Sequence, residues 1–396
     1  MPNTIPPNWQ EKTLGEVCEI ISGTTPDTKN SKYWDGSNYW ITPAELSEEK
    51  IFITDCRRKI TDLAIQHCSL RPMPKGTIIF SSRAPIGKVA ISDVDTLYCN
   101  QGFKNFICSK SIYNKFLYYF LKLNTPLLIS LGNGTTFKEI SKSTISKVHI
   151  GFPSLPEQKR IVEKLDKIFA NIDKAKEQTT QNLKNAKEIF EVQIDATLKP
   201  HSDWRNVKMA DICDVRDGTH DSPKYIKSGF PLVTSKNLKN GTLVFDNIKY
   251  ISQQDYDHIN ERSKVDVGDV LFAMIGTIGN PVVVTEEPKY AIKNMALFKH
   301  SDEILPSFLK YILGSRIVLD KMQKEANGTT QKFVSLGYLR NFKISLPSNK
   351  QQLDIVKTLD SLRAQTQELE TIYTKKLADL DELKQSVLQQ AFSGKL

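Results

Sequence analysis

Cysteine is scarce and never closely paired: the six, at 18, 56, 68, 99, 108 and 213, include no CxxC. That spacing excludes a zinc knuckle and a dithiol redox motif, and the thiols are read as reduced. The six histidines (67, 149, 201, 220, 258 and 300) do not cluster. Long apolar runs are missing too. The most apolar stretch, 270–284, is interrupted by Gly276, Gly279 and Pro281, so no membrane-spanning helix is expected. The opening MPNTIPPNWQ has neither the basic nor the apolar region of a secretory signal, and a cytoplasmic location is expected. There is no GxxxxGK(S/T) phosphate loop, no HExxH pair and no (N/D)PP(Y/F) loop of an adenine methyltransferase. The single Asn-Pro, Asn280-Pro281, runs on into Val282. The chain is read as non-enzymatic.

What remains is a folded chain of 396 residues, 39% hydrophobic and 25% charged, long enough for two or three domains. Its 54 basic and 45 acidic residues leave a net charge of +9. Residues 1–152 hold 18 basic and 13 acidic (+5), and 201–346 hold 20 and 17 (+3). Residues 153–200 (9 and 8) and 347–396 (7 and 7) are close to neutral. Two basic segments thus alternate with two neutral ones, a distribution that suits a polyanionic partner.

The two basic segments are copies of one unit. Asn133-Gly134-Thr135-Thr136 recurs as Asn327-Gly328-Thr329-Thr330, 194 residues on. In the same register Gln158 falls on Gln352, Ile161-Val162 on Ile355-Val356, and Leu165-Asp166 on Leu359-Asp360. With small slips Trp9 matches Trp204, Cys18 matches Cys213, Gly23-Thr24 matches Gly218-Thr219, and Asn100 matches Asn294. Repetition on this scale marks a duplicated architecture.

After each globular copy comes a long helical pattern. Apolar positions run Ile161, Leu165, Ile168, Ile172, Ala175, Leu183, Ala186, Ile189, Phe190 and Ile194 in the first. They run Ile355, Leu359, Leu362, Leu369, Tyr373, Leu377, Leu380, Leu383, Val387 and Leu388 in the second. Steps of three and four over about six heptads indicate a coiled coil. Connectivity makes the two helices antiparallel partners, and Thr179 and Thr366 interrupt the stripes at core-like positions. Within the globular copies, 77–80, 88–91, 270–273 and 281–284 read as strands, and 115–123 and 307–313 as short helices. The expected fold class is therefore α+β. Two mixed α/β units (1–152 and 201–346) are joined by two long helices (153–200 and 347–396) in an antiparallel coiled coil, a pseudo-two-fold internal repeat.

The repeat, the segment LPEQKRIVEKLD and the closing LKQSVLQQAFSGKL together resemble the specificity subunit of Type I restriction–modification systems. One departure is Leu346-Pro347-Ser348-Asn349-Lys350-Gln351, which lacks the Leu-Pro-Glu-Gln of residues 155–158. The resemblance implies two target-recognition domains, each reading half of a bipartite site on double-stranded DNA, with the helices as spacer. It also implies two modification subunits that methylate adenine and restriction subunits with translocase and nuclease activity. S-adenosylmethionine, ATP and Mg are then expected on those partners and no cofactor in this chain. A specificity subunit of a stand-alone methylase or a Type IIB-like system fits the same features, and a coiled-coil scaffold for two protein-binding domains is the alternative from another class.

Candidate DNA contacts follow from side-chain chemistry. Thr135, Thr136 and Lys138, with Thr329, Thr330 and Lys332, combine a turn, hydroxyls and a cation suited to phosphate. Thr24, Thr25 and Lys29, with Thr219, His220 and Lys224, do the same. Asn100, Gln101 and Asn294 carry the groups for bidentate contact with adenine. Arg83 and Lys88 flank Pro85-Ile86-Gly87, a polar loop suited to guanine or phosphate, and Lys236 and Lys293 in the second copy are read in the same way. A plain loop-closing role is the competing reading for each.

Overall fold

The computed structural model describes residues 5–47, 50–83, 85–134, 138–328 and 332–396. Its longest elements are the helices Leu155–Thr197 and Asn349–Phe392, 43 and 44 residues and so about 65 Å each. The second start lacks Leu-Pro-Glu-Gln but has its own cap. Ser348 Oγ accepts the Gln351 N–H at 3.4 Å, and Gln351 Oε1 accepts the Ser348 N–H at 3.0 Å, a reciprocal capping box.

The chain divides into two compact units, Met1–Thr179 with Lys376–Leu396, and Thr180–Lys375. Each holds the start of one long helix and the end of the other. In the first unit Lys176 donates to Asp381 at 2.6 Å and Lys384 to Asp173 at 2.8 Å, so the helices run antiparallel. In the second, the Arg363 guanidinium lies 4.9 Å from the Phe190 ring centre. The expected stripe is only partly a helix–helix seam. Ile189, Leu369 and Leu383 are 54%, 38% and 46% exposed, because two facing helices bury a narrow strip and Phe190 takes the buried position beside Ile189. Thr179 and Thr366 are buried, and each hydroxyl is satisfied by the carbonyl four residues back, Ala175 and Leu362.

The ends of the helices close the globular cores. Ile161, Leu165, Phe169 and Ile172 pack into the first unit together with Val387, Leu388, Ala391 and Phe392. Phe190, Ile194 and Leu198 pack into the second with Val356 and Leu359.

The first unit is built on a five-stranded sheet in the order Cys18–Ile21, Phe103–Cys108, Ile78–Ser81, Val89–Ser92, Phe52–Ile53. The second repeats its antiparallel heart as Val215–Asp217, Ala296–Phe298, Val270–Ala273, Gly279–Val283. Ile78–Ser81, Val89–Ser92 and Val270–Ala273 are buried throughout, which is why they read as unbroken apolar runs rather than alternating ones. A second sheet in each unit contains one parallel pair, Tyr39–Ile41 beside Leu97–Cys99 and Leu232–Val233 beside Ala291–Ile292. A short ribbon brings each copy's ends together, Gln10–Thr13 with His149–Phe152 and Arg205–Lys208 with Lys343–Leu346. The matched cysteines, Cys18 and Cys213, are buried.

Candidate nucleic-acid interface

Antiparallel pairing decides which loops meet. Phe103 pairs with Ser81, so the segment before Phe103 and the segment after Ser81 leave the sheet at the same edge. Gly102 O accepts both the backbone N–H and the hydroxyl of Ser82, at 2.9 and 3.1 Å. Ser82 O in turn accepts the Ile140 N–H at 3.0 Å, which docks the Asn133 hairpin beside Arg83. Thr24 N–H reaches Cys99 O at 2.9 Å on the other side. Segments 23–25, 82–83 with 85–88, 100–102, and 133–134 with 138–140 thus share one edge of the first unit.

The second unit assembles the same edge. Thr219 N–H donates to Ile292 O, Gly218 N–H to Met295 O, and Val334 N–H to Met274 O, at 3.1, 2.9 and 2.9 Å. The two backbone strands cross so closely that a Cβ on Gly23 would lie 2.1 Å from Cys99 O, and one on Gly218 2.4 Å from Ile292 O. Only glycine fits there, which accounts for its recurrence.

Each hairpin closes identically on its backbone. Asn133 and Glu139 exchange two N–H···O bonds at 2.9 Å, as do Asn327 and Phe333. The side chains differ. In the first unit Glu139 receives Arg83 Nε at 2.9 Å and the buried Lys104 Nζ at 3.1 Å. Burial pushes its carboxyl up, but the two cations outweigh that and hold it below the usual range. In the second unit the hairpin residue Phe333 bridges to Ile275, with no charge at either position.

The predicted contact residues fall into distinct groups. Thr135, Thr136, Thr329 and Thr330 lie outside the described residues. Thr24, Lys29, Arg83, Gln101, Lys138, His220, Lys224, Lys236 and Lys332 are exposed, and Thr25, Thr219 and Asn294 are half-buried. Lys332 Nζ donates to Gln323 O at 3.1 Å, and Lys88 Nζ to Leu46 O at 3.1 Å. Lys293 is buried, its ammonium donating to Asp221 O and Ser222 Oγ at 2.7 Å, so it braces a loop. Asn100 Oδ1 accepts the Gly102 N–H at 3.0 Å and braces its own turn.

The matching of Asn100 with Asn294 needs correction. Asn100 N–H donates to Ile41 O and Lys293 N–H to Val233 O, at 3.3 and 2.9 Å, within equivalent parallel pairs. Asn100 therefore corresponds to Lys293, and the loop of the second unit is one residue shorter. By its contacts, Asn294 corresponds to Gln101. Thr25 Oγ1 donates to Gln101 Oε1 at 2.6 Å, and His220 Nδ1 lies 2.9 Å from Asn294 Oδ1. Behind His220, Nε2 meets Asp217 Oδ2 at 2.8 Å, and Asp217 Oδ1 accepts Arg262 at 2.5 Å. Sequence reasoning missed Asp217, Arg262, Lys104 and Glu139, since none is repeated in the other copy.

Among the described residues no cluster of His, Cys, Asp and Glu is placed to hold a metal ion, and no helix is long and apolar enough to cross a membrane. The fold and its loop edges define a duplicated recognition protein, in which one scaffold is built twice and its exposed edge varied. A family profile, the Type I restriction modification DNA specificity domain, matches residues 6–185 and 201–378. The chain belongs to that family and is a DNA-specificity subunit of a Type I restriction–modification complex, the non-catalytic member of such systems. It is 30% identical over 372 residues to the Type I restriction enzyme MjaIX specificity subunit of Methanocaldococcus jannaschii, covering 87% of this chain and 84% of that one. The MjaVIII specificity subunit of the same organism is 24% identical over 417 residues, covering 99% and 94%. A chain solved in work on complex assembly and conformational transition of the type I R-M system superposes with a TM-score of 0.81 at 21% identity, covering 100% of both chains. The HsdS subunit of Thermoanaerobacter tengcongensis gives 0.63 at 22% identity, covering 100% of this chain and 99% of that one.

Proposed function

We propose that residues 1–152 and 201–346 are two target-recognition domains, each reading one half of a bipartite site on double-stranded DNA. Residues 153–200 and 347–396 are the spacer helices, which fix the separation of the half-sites and dock two modification subunits. Those subunits supply S-adenosylmethionine and methylate adenine, and restriction subunits driven by ATP and Mg join them. The work is done in the cytoplasm, where the DNA is.

One observation carries this reading: the repeat keeps its joints and varies its edge. The bond from Thr24 N–H to Cys99 O recurs as Thr219 N–H to Ile292 O, while Thr25 becomes His220, Gln101 becomes Asn294 and Glu139 becomes Phe333. One scaffold with two different edges suits two different half-sites. The excess of nine positive charges is small for a chain that grips a duplex alone, so partner surfaces supply the remaining phosphate contacts.

Lengthening the helices tests the assignment. A heptad inserted after Lys176, with another before its ion-pair partner Asp381, adds about 10 Å to each helix, roughly three base pairs at 3.4 Å. Methylome sequencing of a host carrying the variant with its methyltransferase partner should show a longer spacer between unchanged half-sites. Altered bases around an unchanged spacer would refute it.

A further inference from the structure

We propose that Gln101 and Asn294 are the equivalent base-reading amides of the two units, each presenting its carboxamide to an adenine edge in the major groove. The inference rests on the half-site reading above and adds the residue and the base.

Three features carry it. Both amides sit at the place where the glycine-threonine loop crosses the sheet edge, and each meets a side chain from that loop. Gln101 Oε1 accepts from Thr25, and Asn294 Oδ1 lies 2.9 Å from His220 Nδ1, which donates to it in the doubly protonated imidazole whose Nε2–H faces Asp217. Their immediate neighbours, Asn100 and Lys293, spend their side chains inside the protein. The loop thus uses one residue to hold itself and offers the next. Finally, among the described residues no group takes the Nε2–H of Gln101 or the Nδ2–H of Asn294.

An amide held this way has a free donor pair and one remaining oxygen lone pair side by side. Adenine presents an acceptor at N7 beside a donor at N6, the complement of that pattern. Guanine presents two acceptors, leaving the amide oxygen facing another oxygen, and each pyrimidine offers a single polar group. The supports differ in stiffness. Thr25 is a single hydroxyl, whereas His220 is itself anchored on the buried Asp217, which Arg262 holds from the far side. Asn294 also adopts φ +54°, a left-handed conformation that Asn and Asp tolerate and most residues do not.

Those constraints choose the variants. Gln101→Glu and Asn294→Asp keep size, acceptor and backbone preference while removing the donor. Methylome sequencing with the wild-type chain and its methyltransferase partner first gives the site. Absence of any bipartite site at this stage would refute the half-site reading itself. The purified complexes are then titrated at fixed salt with duplexes in which each base pair of the site is changed in turn. Gln101→Glu should reduce discrimination at one A·T pair in one half-site by roughly tenfold, leaving the ratios at all other positions as they were. Asn294→Asp should do the same at one pair in the other half-site. The added charge weakens binding to every duplex, and because a carboxylate can accept from cytosine N4–H, a gain for cytosine at that same pair counts as the expected change of discrimination. Thr25→Val, which removes only the support, should relax the same base pair as Gln101→Glu, and to a smaller extent. Should Gln101→Glu fail to assemble, the Thr25→Val complex decides the first unit alone. Uniform weakening with every ratio intact, or relaxation at different pairs by Gln101→Glu and Thr25→Val, overturns the proposal.

Discussion

Gln158 and Gln352 make the same contacts in the two repeats. Gln158 Oε1 accepts the Tyr113 N–H at 2.8 Å, and its Nε2 donates to Ser111 O and Pro153 O at 2.9 Å. Gln352 Oε1 accepts the Leu305 N–H at 2.8 Å, and its Nε2 donates to Glu303 O and Pro347 O at 3.1 Å. Both side chains are fully buried. Each therefore fastens the first turn of a long helix to the turn that starts a short core helix, Asn114–Leu123 or Pro306–Gly314.

Removing either amide takes the side-chain partner from three backbone groups, among them the buried carbonyl of Pro153 or Pro347 at the helix start. Gln158→Ala and Gln352→Ala should each cost about 2–4 kcal/mol. Hydrogen exchange should locate the loss, with protection falling near Tyr113 in the first variant and near Leu305 in the second. Loss spread evenly over both units would contradict the latch.

How much of this was readable beforehand follows from what a repeat preserves. Gln158/Gln352 and Asp166/Asp360 stood out in the sequence, and the structure supplies their reason. Asp166 accepts Tyr119 Oη at 2.6 Å and Asp360 accepts Tyr311 Oη at 2.5 Å, so joints used twice are written twice. The buried strands were legible as apolar runs. Partners used once were not: Asp217 with Arg262, and Glu139 with Lys104, lie 45 and 35 residues apart and have no periodicity. The one-residue deletion before Met295 was hidden because Asn294 happens to be an asparagine like Asn100, and only the backbone bonds separate them.

The Glu139 cluster has an acid signature. Its folded carboxyl sits below the ordinary value, so its contribution is present above the unfolded value near pH 4.3 and is lost as pH falls through the folded value. The cluster is one-third exposed, which limits it to under about 1 kcal/mol. Wild type should exceed Glu139→Gln in stability by that amount at pH 7, and urea midpoints of the two should converge below pH 4. A constant gap across this range would show that the charge is immaterial.

Lys310 is an opposite case. Burial, with the nearby Arg363, depresses its ammonium below the usual range, partly offset by Asp360, and among the described residues the ammonium donates in a long 3.3 Å contact to Gly241 O. A lysine depressed on folding destabilises the native state while charged, and that penalty fades as pH rises through the folded value. Lys310→Met should therefore raise stability at pH 7 by up to about 1 kcal/mol, with a smaller gain above pH 10. Thermal melts at the two pH values read the difference, and a loss at pH 7 would mean that the Gly241 contact outweighs desolvation.

The last turns of the long helices carry the most consequential apolar residues. Phe392 is 7% exposed, and its ring centre lies 4.7 Å from that of Phe116 and 5.8 Å from that of Phe120. It plugs the first unit's core from a position 276 residues further along the chain than Phe116 (392 minus 116). Phe392→Ala should cost about 3–5 kcal/mol. Trp9 packs edge-on against Phe116 at 6.0 Å, so its fluorescence should report the change locally. Leu198, at the end of the first long helix, holds the corresponding place in the second unit at 8% exposure. Leu198→Ala should cost about 2–4 kcal/mol there and leave the Trp9 signal as it is. A Phe392→Ala chain that melts like wild type would mean that the first unit closes its core without the final helical turns, and the shared use of both helices by each unit would fall with it.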